Sequence, residues 1–128
     1  MKFGYTIVYV EDVAKTVDFY EKAFSLSRLF VHESNQYAEM DTGTTKLAFA
    51  SFEMAKMNVP QFANIKKVTA LPPVELAFVA DDVEAAFKKS IAAGAQEIKK
   101  PAQKPWGQTV GYVTDCNGFL IELCSPMG

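Results

Sequence analysis

Apolar and polar positions along this chain fall into one pattern that occurs twice. Tyr5 to Val10 is a run of β-branched and aromatic residues that ends in Glu11-Asp12, the signature of a strand running into a turn. Val13, Val17, Tyr20 and Phe24 follow at the spacing of one helical face, which predicts a helix after Asp12. Farther along, Glu75 to Val79 repeats the strand, Asp81-Asp82 the acidic turn, and Val83, Phe87 and Ile91 the helical stripe. A carboxylate at Asp12, and at Asp81 or Asp82, is placed to accept from the free N–H groups of a first helical turn. Gly94 can take the positive φ that ends the second helix.

The remainders of the two segments also correspond. Residues 29–33, 37–41 and 45–51 read as three short strands, broken by Ser34-Asn35-Gln36 and Thr42-Gly43-Thr44. Residues 97–100, 109–114 and 119–124 play the same parts, with Asn117-Gly118 as a hairpin signal. The predicted fold is therefore α+β, built from two tandem βαβββ modules in a single domain. Their bounds are about 1–51 and about 74–128, with a linker at 52–73. A four-stranded sheet with one helix buries only one face. Two modules placed edge to edge predict a curved, cup-shaped mixed sheet with helices outside and a ligand-sized hollow within. In the linker, Met54 and Met57 lie among Phe52, Pro60 and Phe62. That mixture suits either a helical turn followed by an adaptable flap or a connector packed on the sheet.

Composition narrows the functions. A chain of 128 residues with 49% hydrophobic and 22% charged residues can bury an ordinary globular core. A net charge of −2 and scattered lysines argue against nucleic acid as a partner. No apolar stretch is long enough to span a membrane, and Glu11-Asp12 interrupts the opening run too early for an export signal. Cys116 and Cys124 suit free thiols in a cytoplasmic protein.

Three segments carry a family resemblance: residues 10–20, with Asp18-Phe19-Tyr20; Pro105-Trp106-Gly107-Gln108; and Asp115 to Leu123, with Gly118 and Glu122. Together with the repeat they resemble the vicinal oxygen chelate superfamily of glyoxalase I, bleomycin-resistance proteins and extradiol dioxygenases. The resemblance covers essentially the whole chain. It implies a cup with a divalent metal, held by one residue from the first and one from the last strand of each module. The matching positions are Tyr5, Ala48 (or Leu47 if a gap intervenes), Glu75 and Glu122. Only Glu122 is family-typical, so Tyr5, Glu75 and Glu122 read as vestigial metal positions. No cofactor is expected on that donor set, and a divalent metal only as a loose hard-cation site. His32, the one histidine, falls on the second predicted strand and not at a ligand position.

The residues suggest a binding cup. The resemblance implies that Glu75 and Glu122 both face the hollow and lie close together, so that one carboxyl pKa rises. The expected ligand-binding set is Tyr5, Phe49, Glu75, Trp106, Tyr112 and Glu122, with Tyr9 and Tyr37 lining the hollow if strand parity turns them inward. The first function this supports is binding of a small aromatic or oxygenated molecule in the manner of bleomycin-resistance proteins. The alternative is a lyase, isomerase or epimerase with Glu122 as catalytic general base or metal ligand. The family resemblance also implies a homodimer.

Overall fold

The computed structural model describes residues 1–127. Its strands form two separate four-stranded sheets, and the chain groups into two compact units. One comprises Met1–Glu21 and Ser25–Ala63; the other comprises Lys22–Phe24 and the residues from Asn64 onward.

The first unit runs β1 (Tyr5–Val10), α1 (Val13–Phe24), β2 (Ser27–Val31), β3 (Tyr37–Asp41), β4 (Lys46–Ser51) and α2 (Phe52–Asn58). Its strand order is β1-β4-β3-β2, with β1 and β4 parallel and the other pairs antiparallel. The Asp12 side chain accepts from the Lys15 N–H at 3.0 Å and starts α1. Period-two alternation on the strands sends Val8, Val10, Ala38, Met40, Leu47 and Phe49 into the core with Val13, Val17 and Tyr20 of α1. Tyr20 and Phe49 meet with ring centroids 4.8 Å apart.

A 3-10 turn at Ile65–Lys67 precedes the second unit's β5 (Glu75–Val79), α3 (Val83–Ala92), β6 (Gln96–Gln103), β7 (Thr109–Thr114) and β8 (Leu120–Cys124). The order β5-β8-β7-β6 repeats the first topology, including the parallel pairing of the first and last strands. Asp82, rather than Asp81, caps α3 by accepting from the Ala85 N–H at 3.0 Å. Gly94 follows the helix with φ of 111°. Its core sets Val83 and Phe87 against Val113, Ile121 and Leu123.

The edge strands depart most from the sequence expectation. β2 begins earlier and ends at Val31, so His32 lies in the following turn, its Nδ1 2.7 Å from Ser34 Oγ. β6 extends to Gln103 through two register shifts. An edge strand needs hydrogen bonds on one side only, so it tolerates Pro101 and the bulges that end a simple alternation. The linker is a packed connector. Ser51 Oγ accepts from the Met54 N–H at 3.0 Å to start α2, and Phe62 packs on Tyr9 and Phe52.

Candidate functional site

Each sheet has one face turned away from its helix, and the polar side chains worth attention lie there. In the second unit the alternation that buries Ile121 and Leu123 puts Glu122 on the opposite face of β8. Tyr112 is its partner on β7 and Ala77 its partner on β5. Glu75 sits one pleat along β5 on the same face, a diagonal neighbour within reach of a long side chain. Tyr112 Oη donates to Glu122 Oε1 at 3.0 Å.

The electrostatics follow from that crowding. Partial burial, a hydrogen bond shared with Glu122 and the Glu122 charge together hold the Glu75 carboxyl above the usual carboxylate range. The Tyr112 phenol is pushed up to about 12, first by burial and then by its bond to Glu122 and the nearby carboxylate charges. The Cys124 thiol is raised by burial and by the same two glutamates. A thiol so placed resists becoming a nucleophilic thiolate. The cluster therefore favours the protonated forms of Glu75, Tyr112 and Cys124. The one proton of a protonated Glu75 is shared with Glu122, which leaves carboxyl oxygens of both glutamates as hydrogen-bond acceptors.

The first unit answers with different chemistry. Tyr37 and Glu39 share a face of β3, and Tyr37 Oη donates to Glu39 Oε2 at 2.8 Å. Burial, then Glu39 and Tyr5, push the Tyr37 phenol above its ordinary range. Ala48 stands opposite Glu39 and beside Ile7, where the second unit has Glu122 beside Ala77. Ala48, not Leu47, is thus the counterpart of Glu122; Leu47 turns into the core.

Of the residues named from the sequence, Glu75, Tyr112 and Glu122 come together. Tyr5 is exposed on β1, opposite Lys46 as Glu75 is opposite Leu120. Phe49 is a correction: it is fully buried on the helix side of β4 against Tyr20, because strand parity turns it away from the open face. Trp106 is exposed on the turn between β6 and β7; its indole N–H donates to Gln108 Oε1 at 2.7 Å. Gln108 in turn donates to the Ser125 carbonyl at 2.8 Å, which fixes the turn to the end of β8. The sequence reading missed Glu39 and Cys124. A tyrosine and a glutamate two apart on one strand was the available signal for Glu39.

The donor set does not fit the divalent metal that the fold family implies. Ala48 offers an alkyl group at one of the four positions, and Glu122 already accepts from Tyr112 while interacting with Glu75. Among the described residues no three His, Cys, Asp or Glu side chains come together as a metal site. A hard cation wants six or more oxygens, and this cluster supplies too few.

Residues 2–123 match the model of the Glyoxalase/Bleomycin resistance protein/Dioxygenase superfamily. The chain belongs to this superfamily. An uncharacterised member-like protein of Mycobacterium bovis is 28% identical over 128 residues, covering 92% of this chain and 79% of its own length. The uncharacterised protein YraH of Bacillus subtilis is 27% identical over 115 residues, covering 89% and 90%. These relatives leave the superfamily member's specific activity unassigned. Among solved structures, a glyoxalase-related enzyme from Fulvimarina pelagi superposes with a TM-score of 0.81 at 19% identity, covering 98% of this chain and 88% of that one. TioX from Micromonospora sp. ML1 gives 0.72 at 22% identity, covering 98% of each chain. At such identities the likeness shows the superfamily fold alone.

Proposed function

We propose that this superfamily member binds a small oxygenated molecule, aromatic or otherwise, on the uncovered face of its second sheet. The observation that carries the reading is the Glu75–Glu122–Tyr112 cluster, a polar group on a face no helix of that unit covers. Carboxyl oxygens of Glu75 and Glu122 side by side, both able to accept, match a ligand with adjacent hydroxyl groups. Glu122 already accepts a hydrogen bond from Tyr112 and so is better suited to gripping a ligand than to taking a carbon-bound proton. A homodimer is supported by the exposed Tyr5, Ile7 and Phe30 of the first unit, and a cytoplasmic setting by two free cysteines. No described helix is long and apolar enough to cross a membrane.

Catechol, an aromatic with two adjacent oxygens, is the probe. Its titration into labelled protein should shift the amide resonances of 75–77, 112 and 120–124. Glu122→Gln should weaken binding by about tenfold, or roughly 1.4 kcal/mol. Unchanged affinity in the variant, or shifts confined to other segments, would overturn the proposal.

A further inference from the structure

A concavity lies on the side of the second unit opposite the sheet-face cluster, between α3 and β6. It has a volume of about 560 Å³, within the range of small-molecule sites. Its floor is Phe87 and Pro101, with Ile91 and Ala92 along the helix wall. The floor is firmly built. A methyl added at Gly111 would come within 3.0 Å of Pro101 Cγ and 3.3 Å of Phe87 Cδ2, so those groups already press on the β7 backbone. The register shifts flanking Lys99 bend β6, and the interval beside the helix stays open.

In the first unit a side chain spans the corresponding interval. There Arg28, the chain's single arginine, reaches from β2 to α1, with Nη2 2.8 Å from both Asp18 Oδ1 and Glu21 Oε1. Counted from the caps Asp12 and Asp82, the places of Asp18 and Glu21 are held in α3 by Lys88 and Ile91. No such clasp joins α3 to β6. Instead each wall carries both signs, Glu84 with Lys88 on the helix and Glu97 with Lys100 on the strand. Among the described residues none of these four forms an ion pair.

We infer that this groove is a second ligand site, separate from the sheet-face cluster, for a small zwitterion with an apolar body such as a free aromatic amino acid. Phe87 and Pro101 receive the apolar body. A lysine meets the carboxylate and a glutamate the ammonium, and that charge match beside an apolar floor favours a zwitterion over either ion alone.

L-Phenylalanine is the probe, with 3-phenylpropionate and phenethylamine as its anion-only and cation-only counterparts. Titration should shift the amides of 84–92 and 97–101 and leave those of 120–124 in place. Ala92→Phe, at an exposed position on the groove wall, should lower affinity by about tenfold or more. The two single-ion probes should each bind about fivefold more weakly than the zwitterion. Lys100→Glu, a surface change that does not touch the floor, should also weaken binding and guards against a misfolded Ala92 variant. No shift at millimolar L-phenylalanine, equal affinity in both variants, or tighter binding of either single-ion probe would overturn the inference.

Discussion

The two units share a topology and differ in what they do with it. In the first, an arginine clasp spans from β2 to α1, and the face turned away from α1 carries a tyrosine–glutamate pair on one strand opposite Ala48. In the second the interval is open, and the uncovered face gathers two glutamates and a tyrosine from three strands. Backbone pattern was repeated while side chains diverged, so the repeat predicts the fold twice and the chemistry only once. A cluster drawn from three strands is fixed by sheet pairing. A pair on one strand needs only local alternation.

The largest expected effect tests which face belongs to the core. Phe49→Ala removes a fully buried ring packed on Tyr20 and should cost about 3–5 kcal/mol. Trp106→Ala, at an exposed turn, should change stability by less than about 1 kcal/mol. Urea unfolding of both variants checks the contrast. Similar losses would dissolve the distinction between core and turn.

Next comes the floor of the outer groove. Gly111 lies on β7 beneath Phe87 and Pro101, and any Cβ there meets them at 3.0–3.3 Å. Gly111→Ala should destabilise by about 1–3 kcal/mol through overpacking. Ala48→Gly, in the alkyl position of the first unit, removes a methyl from a strand without crowding anything and should cost less, about 0.5–1 kcal/mol. Thermal melts of the pair measure whether the second unit's tight helix–sheet approach is particular to it.

Much of this was legible in the sequence. The cap at Asp12, the acidic pair that supplies the cap Asp82, and the strands Tyr37–Asp41 and Thr109–Thr114 follow from periodicity and repeat alignment, and the meeting of Glu75 with Glu122 from the family resemblance. What failed has physical causes. Phe49 was misplaced because β4 is buried at five successive positions, Leu47 to Ser51, and an unbroken apolar run does not reveal parity. The extent of β6 was hidden by its bulges and Pro101. The outer groove could not be read because it depends on a missing clasp. Arg28 is visible in the sequence, but its reach to two carboxylates on α1 is tertiary.

A smaller effect separates the two carboxylates of the second sheet. The folded pKa of Glu75 is raised, so its favourable contribution is fully present below the ordinary carboxylate range. It is lost as pH rises through the folded value, where the charge of Glu75 meets that of Glu122. Glu75→Gln imitates the protonated form at every pH. The variant should match the parent near pH 4 and exceed it at pH 8 by at most about 0.5–1 kcal/mol, a range kept low because Glu75 is largely exposed and screened. Urea midpoints at the two pH values report it. A parent that gains on the variant as pH rises would reverse the assignment.

The smallest effect belongs to the clasp, and its pH sign is opposite. The hydrogen bond from Arg28 holds the Glu21 carboxyl below its usual range, so that contribution is present above the ordinary carboxylate pKa and is lost as pH falls through the folded value. Arg28, Asp18 and Glu21 are all partly or largely exposed, and solvent screens the pairs. Arg28→Met should therefore cost only about 0.5 kcal/mol at pH 7, shrinking further in acid and in high salt. The paired measurement is again the urea midpoint, now at pH 7 and pH 3 with and without 1 M salt. If the loss persists unchanged in acid, Arg28 acts through its alkyl stem on the helix–strand interval rather than through charge. The clasp would then be a packing device that the second unit lacks, and the open groove between α3 and β6 would owe its existence to missing volume, not to missing ion pairs.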